Sequence, residues 1–349
     1  MRAMVLKEFL ELRRDKRTMA MIVVLPMVLL LIFGYAASFD VTSLGTQVVG
    51  PRAEQAAAQL KDPFDVTEVD PSANADDAED RLRAREADVV FVTGDDGAPV
   101  PAYIDGSDLF AAQSAQAAVA RLGGAAVPRV LFNPDLKTSW VMVPALVGMI
   151  LAFIGTIVTA IGLVRERAAG TLEQLAVMPF RPVDVIAGKI VPYFVLASVD
   201  MILVTVLGCL LFGVPFSGSV FVFALGAALF LFAVLGIGVL ISTLSQTQGQ
   251  AMQMALMVMM PQILLSGMIF PLESMAPGVR WIGYLLPLTW FNMIANGVML
   301  RAAPISSLWL PLLVLAVMAS AIFAAAVLRF RRDLAPRMPT VPPVRQEAG

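Results

Sequence analysis

Six long apolar runs set the rhythm of the chain, near Thr18–Ser38, Val141–Val164, Ile186–Phe212, Val220–Leu244, Gly249–Gly267 and Leu308–Phe330. A bilayer core about 30 Å thick needs roughly 20 mainly apolar helical residues, so each run is long enough to cross it as a helix. Six transmembrane helices are predicted. The first run follows basic residues and ends in Ala36-Ala37-Ser38, as a secretory leader would. It exceeds the roughly 7–15 apolar residues of such a leader, however, and reads as an uncleaved anchor.

Between the first two runs the period changes. Gln47-Val48-Val49 reads as a short strand, residues 52–61 as a helix, 64–69 as an alternating strand and 76–87 as a charged helix. A strand over 88–92, a second over 100–104 and a helix from about 109 to 122 follow. This order predicts a small α/β domain over residues 39–140. Gly94-Asp95-Asp96-Gly97 lies between the last two strands and reads as a hairpin loop. Its aspartates lack the spacing of a calcium loop.

Two stretches outside the spans are amphipathic. Within residues 1–17, Val5, Leu6, Phe9, Leu10 and Leu12 recur at mostly helical spacing while Lys7, Glu8, Arg13 and Arg14 face away, as in a helix lying on the inner leaflet. Over 165–182, Gly170 can end one helix and Thr171 cap the next. Leu172, Leu175 and Ala176 then form an apolar stripe that Pro179 stops. Over 268–307, Pro271, Pro277, Pro287 and Pro304 interrupt sequence rich in Trp281, Tyr284, Trp290 and Phe291. Prolines prevent one continuous span and aromatic side chains prefer the interface, so short helices dipping into the outer leaflet are expected.

Composition supports a membrane protein and removes several chemistries. Of 349 residues, 58% are hydrophobic and 15% charged. With no histidine and one cysteine, Cys209, neither a His/Cys metal site nor a His-dependent triad can be built. The net charge of −2 conceals two regions: residues 40–139 hold 17 Asp/Glu against 8 Lys/Arg, and the remainder hold 10 against 17. Lys/Arg clusters precede the first run, lie between the second and third, and follow the sixth over 331–349. By the positive-inside rule both termini are cytoplasmic and the acidic domain lies outside.

The segment Arg165-Glu166-Arg167-Ala168-Ala169-Gly170-Thr171-Leu172-Glu173-Gln174-Leu175 with Pro179 and Pro182 resembles the Glu-x-x-x-Gly-Thr-x-Glu-x-Leu signature of type-2 permeases of ATP-binding cassette (ABC) exporters. Lys7-Glu8-Phe9, Asp105-Gly106-Ser107, Gly188-Lys189, Ile241-Ser242-Thr243, Ser266–Pro271 and Leu286–Thr289 resemble further features of that family in the same order. The resemblance implies a six-helix permease with an inserted extracytoplasmic domain, moving substrate outward in a bacterial cytoplasmic (inner) membrane. Glu166, Gly170, Thr171, Leu172, Glu173, Gln174 and Leu175 would couple it to a separate ATPase. A second permease copy, or a similar permease, would complete the pump, and a periplasmic adaptor is a further partner left open. The sequence contains no Gly-x-x-x-x-Gly-Lys-Ser/Thr loop, so ATP and magnesium are expected on the partner and no cofactor on this chain. Neither an enzymatic activity nor a nucleic-acid partner is expected.

Asp200 lies 11 residues beyond Lys189, deep in the third run, and stands with Met257 and Met260 of the methionine-rich fifth run as a candidate for the translocation path. The alternatives are a secondary transporter or a membrane-anchored sensor. The first should show paired repeats and several intramembrane ionisable groups, and the second should carry its chemistry in the outer domain.

Overall fold

The structure, a computed structural model, describes residues 43–94, 99–169 and 182–334, together with Met27. The expected helices over 1–17 and 18–38, residues 170–181 of the amphipathic connection and the tail from 335 lie outside these residues.

Strands β1 (Leu44–Val49), β2 (Phe64–Asp70), β3 (Val89–Val92), β4 (Val100–Asp105) and β5 (Ala126–Leu131) form one sheet in the order β2-β1-β3-β4-β5. β1 is parallel to both β2 and β3, and β4 is parallel to β5. β3 and β4 pair antiparallel, with Val89 opposite Ile104 and Phe91 opposite Ala102, the arrangement a hairpin requires. Alternation along β3 sends Val89 and Phe91 to one face and Val90 to the other. Helices α1 (Ala53–Ala57) and α3 (Leu109–Ala120) cover the first face, and α2 (Ala75–Arg83) covers the second with Ala78 and Leu82.

Three features differ from the pattern-based expectation: the helix expected over 52–61 is only Ala53–Ala57, continued by turns in which Gln59 and Leu60 N–H donate to Ala56 and Ala57 O, and two more follow. β5 was not foreseen because Pro128 interrupts it, yet an edge strand tolerates the missing N–H, and among the described residues β5 has a partner on one side only. The charged helix stops at Arg83 rather than 87. Arg85 takes φ +60°, Glu86 N–H donates to Arg81 O, and Arg85 N–H donates to Leu82 O, which is a Schellman ending. At the other end, Asn74 and Asp77 form a reciprocal capping box.

Asn133 hands the sheet over to the helices. Its side chain is fully buried, accepts the Lys137 N–H at 2.9 Å and donates to Lys137 O at 3.1 Å, fixing the approach to α4 (Thr138–Ala168). Beyond α4 come α5 (Pro182–Phe212), α6 (Val220–Leu244), α7 (Gln248–Leu265), a 3-10 turn (Leu272–Ser274), α8 (Pro277–Tyr284), α9 (Pro287–Met299) and α10 (Ile305–Leu334). Among the described residues four helices are long and apolar enough to cross a membrane: α4, Ile190–Phe212 of α5, α6, and Ile305–Arg329 of α10. α7 occupies the fifth expected span with only 18 residues, and Gln248, Gln250, Gln253 and Gln262 dilute its apolar character.

α9 is buried among its neighbours instead of lying on an external loop. Leu288, Phe291, Ile294, Ala295 and Val298 are fully buried against α4, α6 and α10. Phe291 stacks on Phe230 with centroids 4.6 Å apart. Gly148 of α4 permits this approach, since a Cβ there would lie 2.6 Å from the Phe291 ring. α8 instead exposes Trp281 and Leu285, an aromatic and apolar face of the kind that sits at a membrane boundary.

Candidate functional site

The structure separates the residues singled out from the sequence. Glu166 lies half-buried near the end of α4. Beside it Arg167 donates through Nη1 to Ser242 O at 3.0 Å and Ser245 O at 3.2 Å, tying α4 to the carbonyl end of α6. Gly170, Thr171, Leu172, Glu173, Gln174 and Leu175 lie outside the described residues. Asp200 is half-buried on α5, and its Oδ2 has no hydrogen-bond partner among the described residues. Met257 and Met260 are half-buried on α7. α5 and α7 both pack on α4 and share no extensive contact, so one copy of the chain does not bring Asp200 together with the two methionines.

A polar junction lies at the other end of α4. Four separate segments deliver it: Arg85 at the end of α2, Asp105 to Asp108 after β4, Glu273 in the 3-10 turn, and Arg301 after α9. The Arg301 and Asp105 side chains are both 5% exposed, with Nη1 3.5 Å from Oδ2. The same Nη1 donates to Ser107 Oγ at 2.9 Å, while Asp105 Oδ1 accepts the Ser107 N–H at 2.8 Å. The Arg301 carbonyl accepts from Arg83 Nη1 at 3.2 Å. Arg85 Nη2 stands 3.5 Å from Glu273 and 3.9 Å from Asp108, which also caps α3 by accepting the Ala111 N–H. The sheet unit therefore grips both ends of the segment from Glu273 to Arg301.

Burial dominates the electrostatics here. It pushes the Asp108 carboxyl up from its usual range and raises Asp88, which accepts the Gly45 N–H at 2.8 Å, to about 6. Burial works against the Arg85 guanidinium, but the carboxylates around it, Glu273 first and then Asp108, Asp105 and Asp88, together more than offset it and leave its pKa above the ordinary value. Between these groups and α9 lies a cavity of about 90 Å³, into which Asn292 and Asn296 also face. None of this cluster except Asp105 and Ser107 drew notice in the sequence. One signal was present: Arg301 is the only charged residue between Arg280 and Arg329, and a lone cation in apolar surroundings requires a partner.

The profile of the ABC-2 family transporter protein matches residues 16–328. The chain belongs to that family. It is thus a membrane transport component, an ABC transporter permease of the ABC-2 type. It is 34% identical over 208 residues to the protein named "Probable multidrug ABC transporter permease YbhR" of Escherichia coli, covering 60% of this chain and 56% of that one. It is 28% identical over 322 residues to "Probable multidrug ABC transporter permease YbhS" of the same organism, covering 83% of this chain and 85% of the relative. With "Inner membrane transport permease YhhJ", also of E. coli, identity is 35% over 211 residues, covering 59% of this chain and 55% of the relative. The chain thus spans a little over half the length of YbhR and YhhJ.

Proposed function

We propose that this chain is the membrane subunit of an ABC exporter, moving substrate outward while a separate ATPase hydrolyses ATP. The family match over residues 16–328 carries the reading. Residues 18–38 and α7 complete six spans with the four long helices, residues 39–140 stand outside a bacterial inner membrane, and both termini are cytoplasmic. Geometry supports that polarity. α4 runs for 31 residues, about 46 Å at 1.5 Å per residue, with the sheet at its start and the 165–182 connection at its end. Glu166 and residues 170–175 engage the ATPase, and two permeases assemble with two ATPases around one path. The names of YbhR and YbhS point to drug-like cargo, and that of YhhJ to the inner membrane.

The test uses impermeant labelling and partner retention together, in a chain carrying Cys209→Ser. A reporter cysteine at exposed Asp76 is expected to be labelled in intact cells, and one at Gln174 only after the inner face is opened. Leu172→Ala with Leu175→Ala is expected to leave the permease inserted and release the ATPase. Labelling of position 174 from outside, or normal retention and transport in the double variant, would reject the reading.

A further inference from the structure

The junction cavity is built with a charged mouth and an amide floor. At the mouth stand Glu273 and Arg85, with side chains 45% and 34% exposed. At the floor stands Asn292, 6% exposed, whose Nδ2 points to Ser266 Oγ at 3.4 Å and whose Oδ1 has no partner among the described residues. Asn296, one helical turn on, also faces the cavity with an Oδ1 that has no partner among the described residues. Buried polar oxygens without a donor are costly, and these two stand on one helix face.

The charged groups lining the cavity are Arg85, Asp108, Glu273 and Arg301, and of the two carboxylates Glu273 is the more exposed, with the Arg280 guanidinium donating to its carbonyl. Arg301 Nε has no partner among the described residues, but Asp105 already opposes its charge. Arg85 is held in the left-handed region at φ +60°, where glycine is the usual residue, and Ala302 beside Arg301 has φ +51°. Met142, Met268 and Met293 supply adaptable apolar walls. A volume of about 90 Å³ falls short of the ~150 Å³ cavity known to hold benzene, so it takes a small head group whose tail leaves by the mouth.

We propose that this cavity binds the ammonium group of amphiphilic amines, with Asn292 and Asn296 oxygens accepting its protons and Glu273 at the mouth opposing its charge. The inference deepens the exporter reading by naming a substrate class, and it rests on that reading for the meaning of the site but not for binding itself. The probe is dansylcadaverine, a primary ammonium on a flexible chain with a fluorophore, titrated into the purified full-length permease without ATP or partner. Its N-acetyl derivative and dansyl-aminohexanoate serve as neutral and anionic counterparts.

The amine is expected to give a saturable rise in emission that methylammonium competes away, and the two counterparts to give none. Glu273→Gln, which keeps the size of the side chain and removes its charge, and Asn292→Leu are each expected to weaken binding by about tenfold or more. Asn292→Asp is expected to tighten it. Equal binding of the anionic or acetylated compound would overturn the proposal, as would unchanged affinity in Glu273→Gln. Loss of binding with transport intact would reject this site while leaving export standing. Binding in a chain that exports nothing would reject export and leave the site.

Discussion

Replacing Arg301 by leucine should loosen the sheet unit from the helices. The substitution strands the Asp105 carboxylate, 4% exposed, without its cation. Breaking a buried pair by removing one partner costs about 3–5 kcal/mol. The geometry agrees, since unit charges 3.5 Å apart at an effective dielectric of about 20 interact by about 5 kcal/mol. At about 1.4 kcal/mol per factor of ten, local opening should become some hundred- to several-thousandfold more frequent. Hydrogen exchange of the peptide spanning β4 and Ser107 reads this directly, because Asp105 N–H and Gly106 N–H are bonded to Asp88 O and Leu131 O. Arg301→Leu combined with Asp105→Leu should recover most of the protection, since the second change removes the unpaired charge. Less than a tenfold change in the single variant, or a double variant no better protected than the single, would refute the claim that this pair holds the junction.

Three further outcomes are expected. Asp88→Asn should stabilise the sheet at neutral pH by up to about 3 kcal/mol, because a buried carboxyl raised to about 6 is costly when charged. The folded state holds that proton more tightly than the unfolded chain, so wild-type stability falls as pH rises from about 4 to 6. The advantage of the variant in hydrogen exchange should therefore grow over that window and stay level above it; a constant difference across pH would contradict the cause. Gly148→Ala should cost about 1–3 kcal/mol by forcing a Cβ into the Phe291 ring, measured as fractional recovery after heating in detergent, and an unchanged recovery would refute the tight packing of α9. Asp200→Asn should assemble and transport normally if the residue is structural, whereas assembly and ATP hydrolysis without transport would place it on the substrate path; full function in Asp200→Leu would deny both roles.

The parts legible in the sequence are those with local causes. Apolar runs foretold α4, α5, α6, α10 and the short strand β3, and alternation foretold β2. Proline at 277 and 287 marked the starts of α8 and α9, although not that α9 would be packed among the spans. What stayed hidden depends on distance or on tertiary override. β5 forms despite Pro128 because only one of its edges needs hydrogen bonds. The junction joins Arg301 to Asp105 across 196 residues and to Ser107 across 194, a separation no local pattern reports. Arg85 was unreadable because its importance comes from a left-handed backbone that aims it at Glu273.

The most direct test is to isolate the tagged chain from its native membrane and identify and count what accompanies it. Two copies of an ATPase carrying a Gly-x-x-x-x-Gly-Lys-Ser/Thr loop should be found with two permeases, and transport by the reconstituted complex should require ATP. A permease that comes away without any ATPase and still moves cargo under an ion gradient alone would contradict it.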